Sequence, residues 1–108
     1  SFALSAIGSE YSFVIDSPFC TIGREAEMKD FLSSRTYVSR RHATLTLGDG
    51  KVYIQNLSQT NFTYVNNKAI ENDQPLALHD GDEIGLGGKV VNGERQENAA
   101  YFIFRVTQ

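Results

Sequence analysis

The 108-residue sequence has no tryptophan, one cysteine, one methionine and two prolines. A lone Cys20 can close no intrachain disulfide and build no cysteine-based zinc site. Flanked by Phe19, Thr21 and Ile22, it reads as a small core residue, which suits a reducing compartment such as the cytoplasm. No apolar run approaches the ~20 residues that a helical membrane span requires, and no secretory signal is visible. Positive charge is also scarce. Ten Lys and Arg against thirteen Asp and Glu leave a net charge of −3, whereas a general nucleic-acid binder carries a basic surplus. The chain begins at Ser1 rather than Met, so the expectation is one domain spanning 1–108 and excised from a longer protein.

Against that acidic background the basic residues are unevenly placed. Between Gly23 and Thr44 lie Arg24, Lys29, Arg35, Arg40 and Arg41, with only Glu25, Glu27 and Asp30 to offset them. Positive charge is thus concentrated in one stretch, where it is available to an anion. Seven Phe and five Tyr, in a chain that is 41% apolar, suffice for one core.

The apolar pattern has the period of strands. Runs at Phe2–Ile7, Tyr11–Ile15, Phe19–Ile22, Glu83–Leu86, Lys89–Val91 and Ala100–Val106 are bounded by turn residues. The clearest hairpin joins Ala43–Gly48 to Lys51–Asn56 through Asp49-Gly50, with apolar residues alternating on both sides. Glu25–Leu32 places Met28, Phe31 and Leu32 at helical spacing but is short and poorly capped, so a loop leading into a short strand is expected there. The polar stretch Asn92–Asn98 is expected to be an exposed hairpin loop. Many short strands and almost no helix predict an all-β antiparallel sandwich of two sheets.

The chemistry sits between the strands. Gly23-Arg24, Ser39-Arg40-Arg41-His42 and Thr60-Asn61-Phe62-Thr63 occupy three connections that a sandwich can gather at one end. Arg offers a fork that bonds two phosphate oxygens at once. Ser and Thr hydroxyls and turn N–H groups complete a shell around a dianion. An Asn amide bonds both the C=O and the N–H of an extended peptide.

These pieces, in order, resemble the forkhead-associated (FHA) domain family: Thr21-Ile22-Gly23-Arg24, Val38-Ser39-Arg40-Arg41-His42-Ala43, Asn56 to Asn66, and Leu78-His79-Asp80-Gly81-Asp82-Glu83-Ile84. The resemblance implies a sandwich of about eleven strands that binds phosphothreonine in an extended peptide. It assigns phosphate contacts to Arg24, Ser39, Arg40, Arg41 and Thr60, and the peptide backbone to Asn61. Gly23 and His42 would support the binding loops. The sequence departs from the family where Phe62 replaces the usual Gly after the Asn. Three explanations are open: a turn of different shape, a strained Phe62, or a ring that contacts the partner. The Asp common before the Leu is Asn56 here, which keeps a turn-capping oxygen without the charge.

Other readings are weaker. Ser39 and His42 lack a nucleophile elbow and an orienting acid, so no enzyme activity is expected. His42 has only His79 as a histidine companion, so no metal or other cofactor is expected. Gly85-Leu86-Gly87-Gly88-Lys89 lacks Walker spacing and reads as a strand interruption. Asp80-Gly81-Asp82 has too few further oxygens for calcium and reads as a turn. Asn56-Leu57-Ser58 and Asn61-Phe62-Thr63 match the glycosylation pattern, which arises often by chance. The expected partner is a phosphothreonine-containing protein, met by a monomer with no nucleic acid and no direct membrane contact. The alternatives are a phosphate-independent interaction domain of the same fold and, more remotely, a barrel that binds single-stranded nucleic acid.

Overall fold

The computed structural model describes residues 1–108. Ten strands form two antiparallel sheets. The first has the order β2-β1-β10-β9-β6-β7, built from β1 Phe2–Ala6, β2 Ser12–Ile15, β6 Thr63–Val65, β7 Lys68–Ala69, β9 Glu83–Leu86 and β10 Ala100–Val106. The second has the order β3-β4-β5-β8, built from β3 Phe19–Ile22, β4 Ala43–Gly48, β5 Lys51–Asn56 and β8 Leu76–Ala77. One short helix, α1, spans Lys29–Leu32.

Leu4, Ile84, Leu86, Phe102 and Phe104 from the first sheet share one core cluster with Ile22, Leu45, Val52 and Ile54 from the second. The alternation read from the sequence therefore sends one face of each strand inward. The β4–β5 hairpin turns on Asp49 (φ 55°) and Gly50 (φ 72°), and Gly48 pairs with Lys51. Two successive positive φ values match the right-handed strand twist, which is why Asp-Gly closes this hairpin. The first and last strands pair from Phe2–Val106 to Ala6–Phe102.

Two segments differ from expectation. Glu25–Leu32 contains a helical turn rather than a strand. Met28 precedes it at φ 71°, and its carbonyl accepts the Leu32 N–H at 2.9 Å. Burial of Met28 and Leu32 in the core outweighs the missing cap. Lys89–Val91 is not a strand. The Val90 N–H and C=O are taken by the Asn67 amide at 2.6 and 3.1 Å, and the Lys89 carbonyl accepts from Tyr101 and Gln96 side chains. With side chains satisfying the backbone, no ladder is needed.

β6, β7 and β8, at two or three residues each, are too short to show a period. Asn92-Gly93 forms a tight exposed turn between Val91 and Glu94, which exchange backbone bonds of 2.9 Å. Asp82 closes the Asp80-Gly81-Asp82 turn by accepting the His79 N–H at 2.8 Å. β9 runs through Gly85-Leu86 and stops before Gly87 (φ 89°). No helix is long and apolar enough to cross a membrane.

Candidate functional site

The site begins where β3 and β4 leave the sheet. Ile22 pairs with Ala43, and the contact continues past the strand ends. The Arg24 N–H donates to the Ser39 carbonyl at 3.1 Å and the Glu25 N–H to the Arg40 carbonyl at 2.9 Å. Gly23 makes this approach possible. A Cβ there would lie 2.3 Å from the Arg40 oxygen and 2.7 Å from the Ser39 oxygen, so the requirement is steric. The Arg24 side chain is half-buried, and its Nε donates to the Val38 carbonyl. Anchored at Nε, the guanidinium keeps Nη1 and Nη2 without a protein acceptor.

His42 joins the loops from beneath. It is fully buried. The Ser39 N–H donates to its Nδ1 at 2.9 Å, so Nδ1 is the bare nitrogen. The proton is therefore on Nε2, which donates to the Phe62 carbonyl at 3.2 Å. The backbone of His42 adds three bonds: its N–H donates to Ile22, and its carbonyl accepts from Leu57 and Ser58. One residue thus binds the end of β3, the 39–42 loop and the 57–62 loop. Burial holds the imidazole pKa down at about 4, against a smaller upward pull from the Phe62 carbonyl.

A second set of bonds joins the outer loops. The Ser39 and Ser58 hydroxyls lie 2.7 Å apart, and Ser58 Oγ accepts the Asn61 N–H at 3.1 Å. The Asn61 amide donates to the Tyr37 carbonyl at 3.0 Å, leaving its Oδ1 without a protein donor. Behind them, Asn56 is buried. Its amide donates to Ser58 O (2.9 Å) and Asn72 Oδ1 (2.8 Å), and its oxygen accepts from Thr63 Oγ1 (2.8 Å). With both amide hydrogens and its oxygen engaged, Asn56 is closed to a glycan.

Arg24, Ser39 and Asn61 therefore stand on directly bonded loops, with Thr60 exposed beside Asn61. Arg40 and Arg41 follow Ser39 in the same loop, and each has one exposed contact. Arg40 pairs with Glu25 at 3.3 Å on an exposed surface, and Arg41 reaches Thr21 Oγ1 at 3.5 Å. The hollows of the surface lie elsewhere. The largest, about 510 Å³, is lined by Tyr11, Phe13 and residues 25–31, and none is lined by Arg24, Ser39, Thr60 or Asn61. The site is a group of open loop tips. No cluster of three or more His, Cys, Asp or Glu side chains is arranged to hold a metal. Sequence reasoning missed Ser58, which lay inside a matched segment with nothing to mark its buried hydroxyl as a bridge. It also missed Tyr37, whose part is played by its backbone carbonyl.

Comparison with known proteins supplies the remaining context. The chain is 40% identical over 75 residues to an oxoglutarate dehydrogenase inhibitor of Corynebacterium efficiens, a match covering 69% of this chain and 50% of that protein. The chain spans about half the length of the curated relatives it matches. Among solved structures, one from a structural and functional analysis of phosphothreonine-dependent FHA domain interactions superposes with a TM-score of 0.73 at 26% identity, covering 99% of this chain and 97% of the other. The FhaA FHA domain, crystallised with the intracellular domain of Rv3910, superposes with a TM-score of 0.71 at 27% identity, covering 97% and 100%. The sequence pattern of the FHA domain matches residues 20–87, a stretch that holds Gly23-Arg24, the Ser39–His42 loop and Thr60-Asn61. With the two-sheet sandwich and its bonded loops, that match assigns the chain to the FHA domain family.

Proposed function

We propose that this chain is a phosphothreonine-dependent binding module that acts by recognition and not by catalysis. Arg24 and Ser39 bind the phosphate, with Thr60 at its edge. Asn61 holds the backbone of an extended peptide. Arg40 and Arg41, each exposed and engaged through a single nitrogen, flank the phosphate and supply further positive charge to it. The reading covers residues 1–108 as one domain of a longer cytoplasmic protein, acting as a monomer.

The single observation that carries the reading is the bonded sequence of Arg24, Val38-Ser39, Ser58 and Asn61. It supports a guanidinium, anchored at Nε with two nitrogens left over, and the Ser39 hydroxyl as donors on loops that are bonded to one another. Phosphothreonine brings about −1.5 to −2 charges and three acceptor oxygens, which match those donors. The relative described with phosphothreonine-dependent interactions supports the same ligand class.

The test is titration calorimetry with one peptide in phosphothreonine and unphosphorylated forms. The phosphorylated form is expected to bind at least about a hundredfold more tightly. Arg24→Ala should remove that difference, while losing the Nε bond costs only about 1 kcal/mol of stability. Equal binding of both forms by the unmodified domain would replace this reading with a phosphate-independent scaffold.

A further inference from the structure

Phe62 stands where a Gly is usual in this family, and its surroundings narrow the reason. It is absent from the residues with positive φ, so the backbone is unstrained. Its carbonyl accepts from both His42 Nε2 (3.2 Å) and the Gly87 N–H (2.9 Å), which fixes the peptide plane. Thr63 is completely buried at the start of β6, so strand alternation sends Phe62 and Tyr64 to the opposite, outer face. Their rings meet edge-on at 6.5 Å. Phe62 remains 45% exposed.

It is not alone. Asn61 lies between Phe62, its chain neighbour, and Tyr37, whose carbonyl the Asn61 amide bonds. Tyr37 is 40% exposed. Gly87 lies close to both segments. It donates to Phe62, and a Cβ on it would lie 2.5 Å from the Tyr37 oxygen. Leu57, 39% exposed, rises from the same group of loops. Three of the eight large apolar side chains that the fold leaves exposed thus sit at the end that carries the phosphate and backbone contacts. Apolar surface collected around a few fixed polar groups is the usual composition of a ligand site.

We propose that Phe62, with Tyr37, is a specificity determinant that selects phosphothreonine peptides bearing a large aliphatic or aromatic side chain within about three residues of the phosphothreonine. The inference rests on the phosphothreonine reading of the same site. The polar groups fix the peptide backbone at Asn61, and a strand advances about 3.3 Å per residue. An apolar side chain one to three positions away therefore reaches the Phe62 ring next to Asn61, on the side that also carries exposed Tyr37. Contact with a half-exposed aromatic ring is expected to change affinity about tenfold.

The test is fluorescence-anisotropy titration with phosphothreonine peptide pools that vary one flanking position at a time, comparing Leu and Phe with Ser and Asp. At one or two positions the unmodified domain should prefer the apolar peptides by about tenfold. Phe62→Ser should bind apolar and polar phosphopeptides with the same, weaker affinity while still rejecting unphosphorylated ones. Phe62→Leu should restore the preference. Melting curves of both variants should show the fold retained, since the ring is outside the core. Phosphate-dependent binding with no apolar preference at any position, or a preference that survives Phe62→Ser, overturns this inference alone. Loss of discrimination between phosphorylated and unphosphorylated peptides in the unmodified domain overturns the reading beneath it.

Discussion

His42 illustrates how one residue sets the response of the site to pH. Neutral, it accepts from Ser39 and donates to Phe62. Protonated, it would carry a charge in the core and offer a second hydrogen to a Ser39 N–H that cannot accept it. Its folded pKa of about 4 lies below the ordinary value of 6.5, so the unfolded chain binds more protons between those values. Stability is thus fully present above about pH 6.5 and falls as pH drops toward 4. The loss is on the order of 3 kcal/mol by that lower limit. Urea unfolding across this range should show the slope, and His42→Ala should flatten it. The variant should also be about 2–4 kcal/mol less stable at pH 7, because it leaves a cavity and deprives the Ser39 N–H of its acceptor. An unchanged slope in His42→Ala would assign the acid sensitivity to other groups.

At the scale of elements, the site depends on how strand ends are fastened to loops. Asn56 ends β5 and Thr63 begins β6, in different sheets, and their side chains meet at 2.8 Å. The same Asn56 amide holds Ser58 and Asn72. Replacing it with Ala leaves a buried hydroxyl and a carbonyl with fewer partners. Asn56→Ala should destabilise the domain by about 2–4 kcal/mol in chemical denaturation. It should weaken phosphopeptide binding as well, since the Ser58 bridge to Ser39 and Asn61 loses its support. A variant with normal stability and normal affinity would show that the network is dispensable.

Across the whole molecule, a net charge of −3 coexists with a cationic loop region. Part of the acidic surplus lies around Tyr11 and Cys20. After burial itself, Glu27 with Asp30, and Glu27 with Asp16, push those two pKa values up. A phosphorylated partner therefore meets attraction at the loops and repulsion elsewhere, which orients encounter. Because the loop tips are open to solvent, mobile ions screen that attraction. Raising ionic strength from about 0.05 to 0.5 M should weaken phosphopeptide binding several-fold, mostly through the association rate measured by stopped flow. A salt-independent affinity would mean that charge contributes little.

The sequence by itself determined the sandwich class, the strands with clear period-2 patterns and the Asp49-Gly50 turn, because those signals are local. It marked Gly23, Arg24, Ser39, His42 and Asn61 as a set through their order along the chain. Only the tertiary structure decided the rest. The helical turn at Lys29–Leu32 exists because Met28 and Leu32 have a core to enter, and Lys89–Val91 stays out of the sheet because the distant Asn67 and Tyr101 side chains take its backbone groups. The engagement of Arg40 with Glu25, the buried bridge at Ser58 and the outward ring of Phe62 arise from contacts between segments far apart in sequence or on opposite faces of a strand. Such contacts leave no periodic trace in the chain, since they depend on where folding delivers each loop.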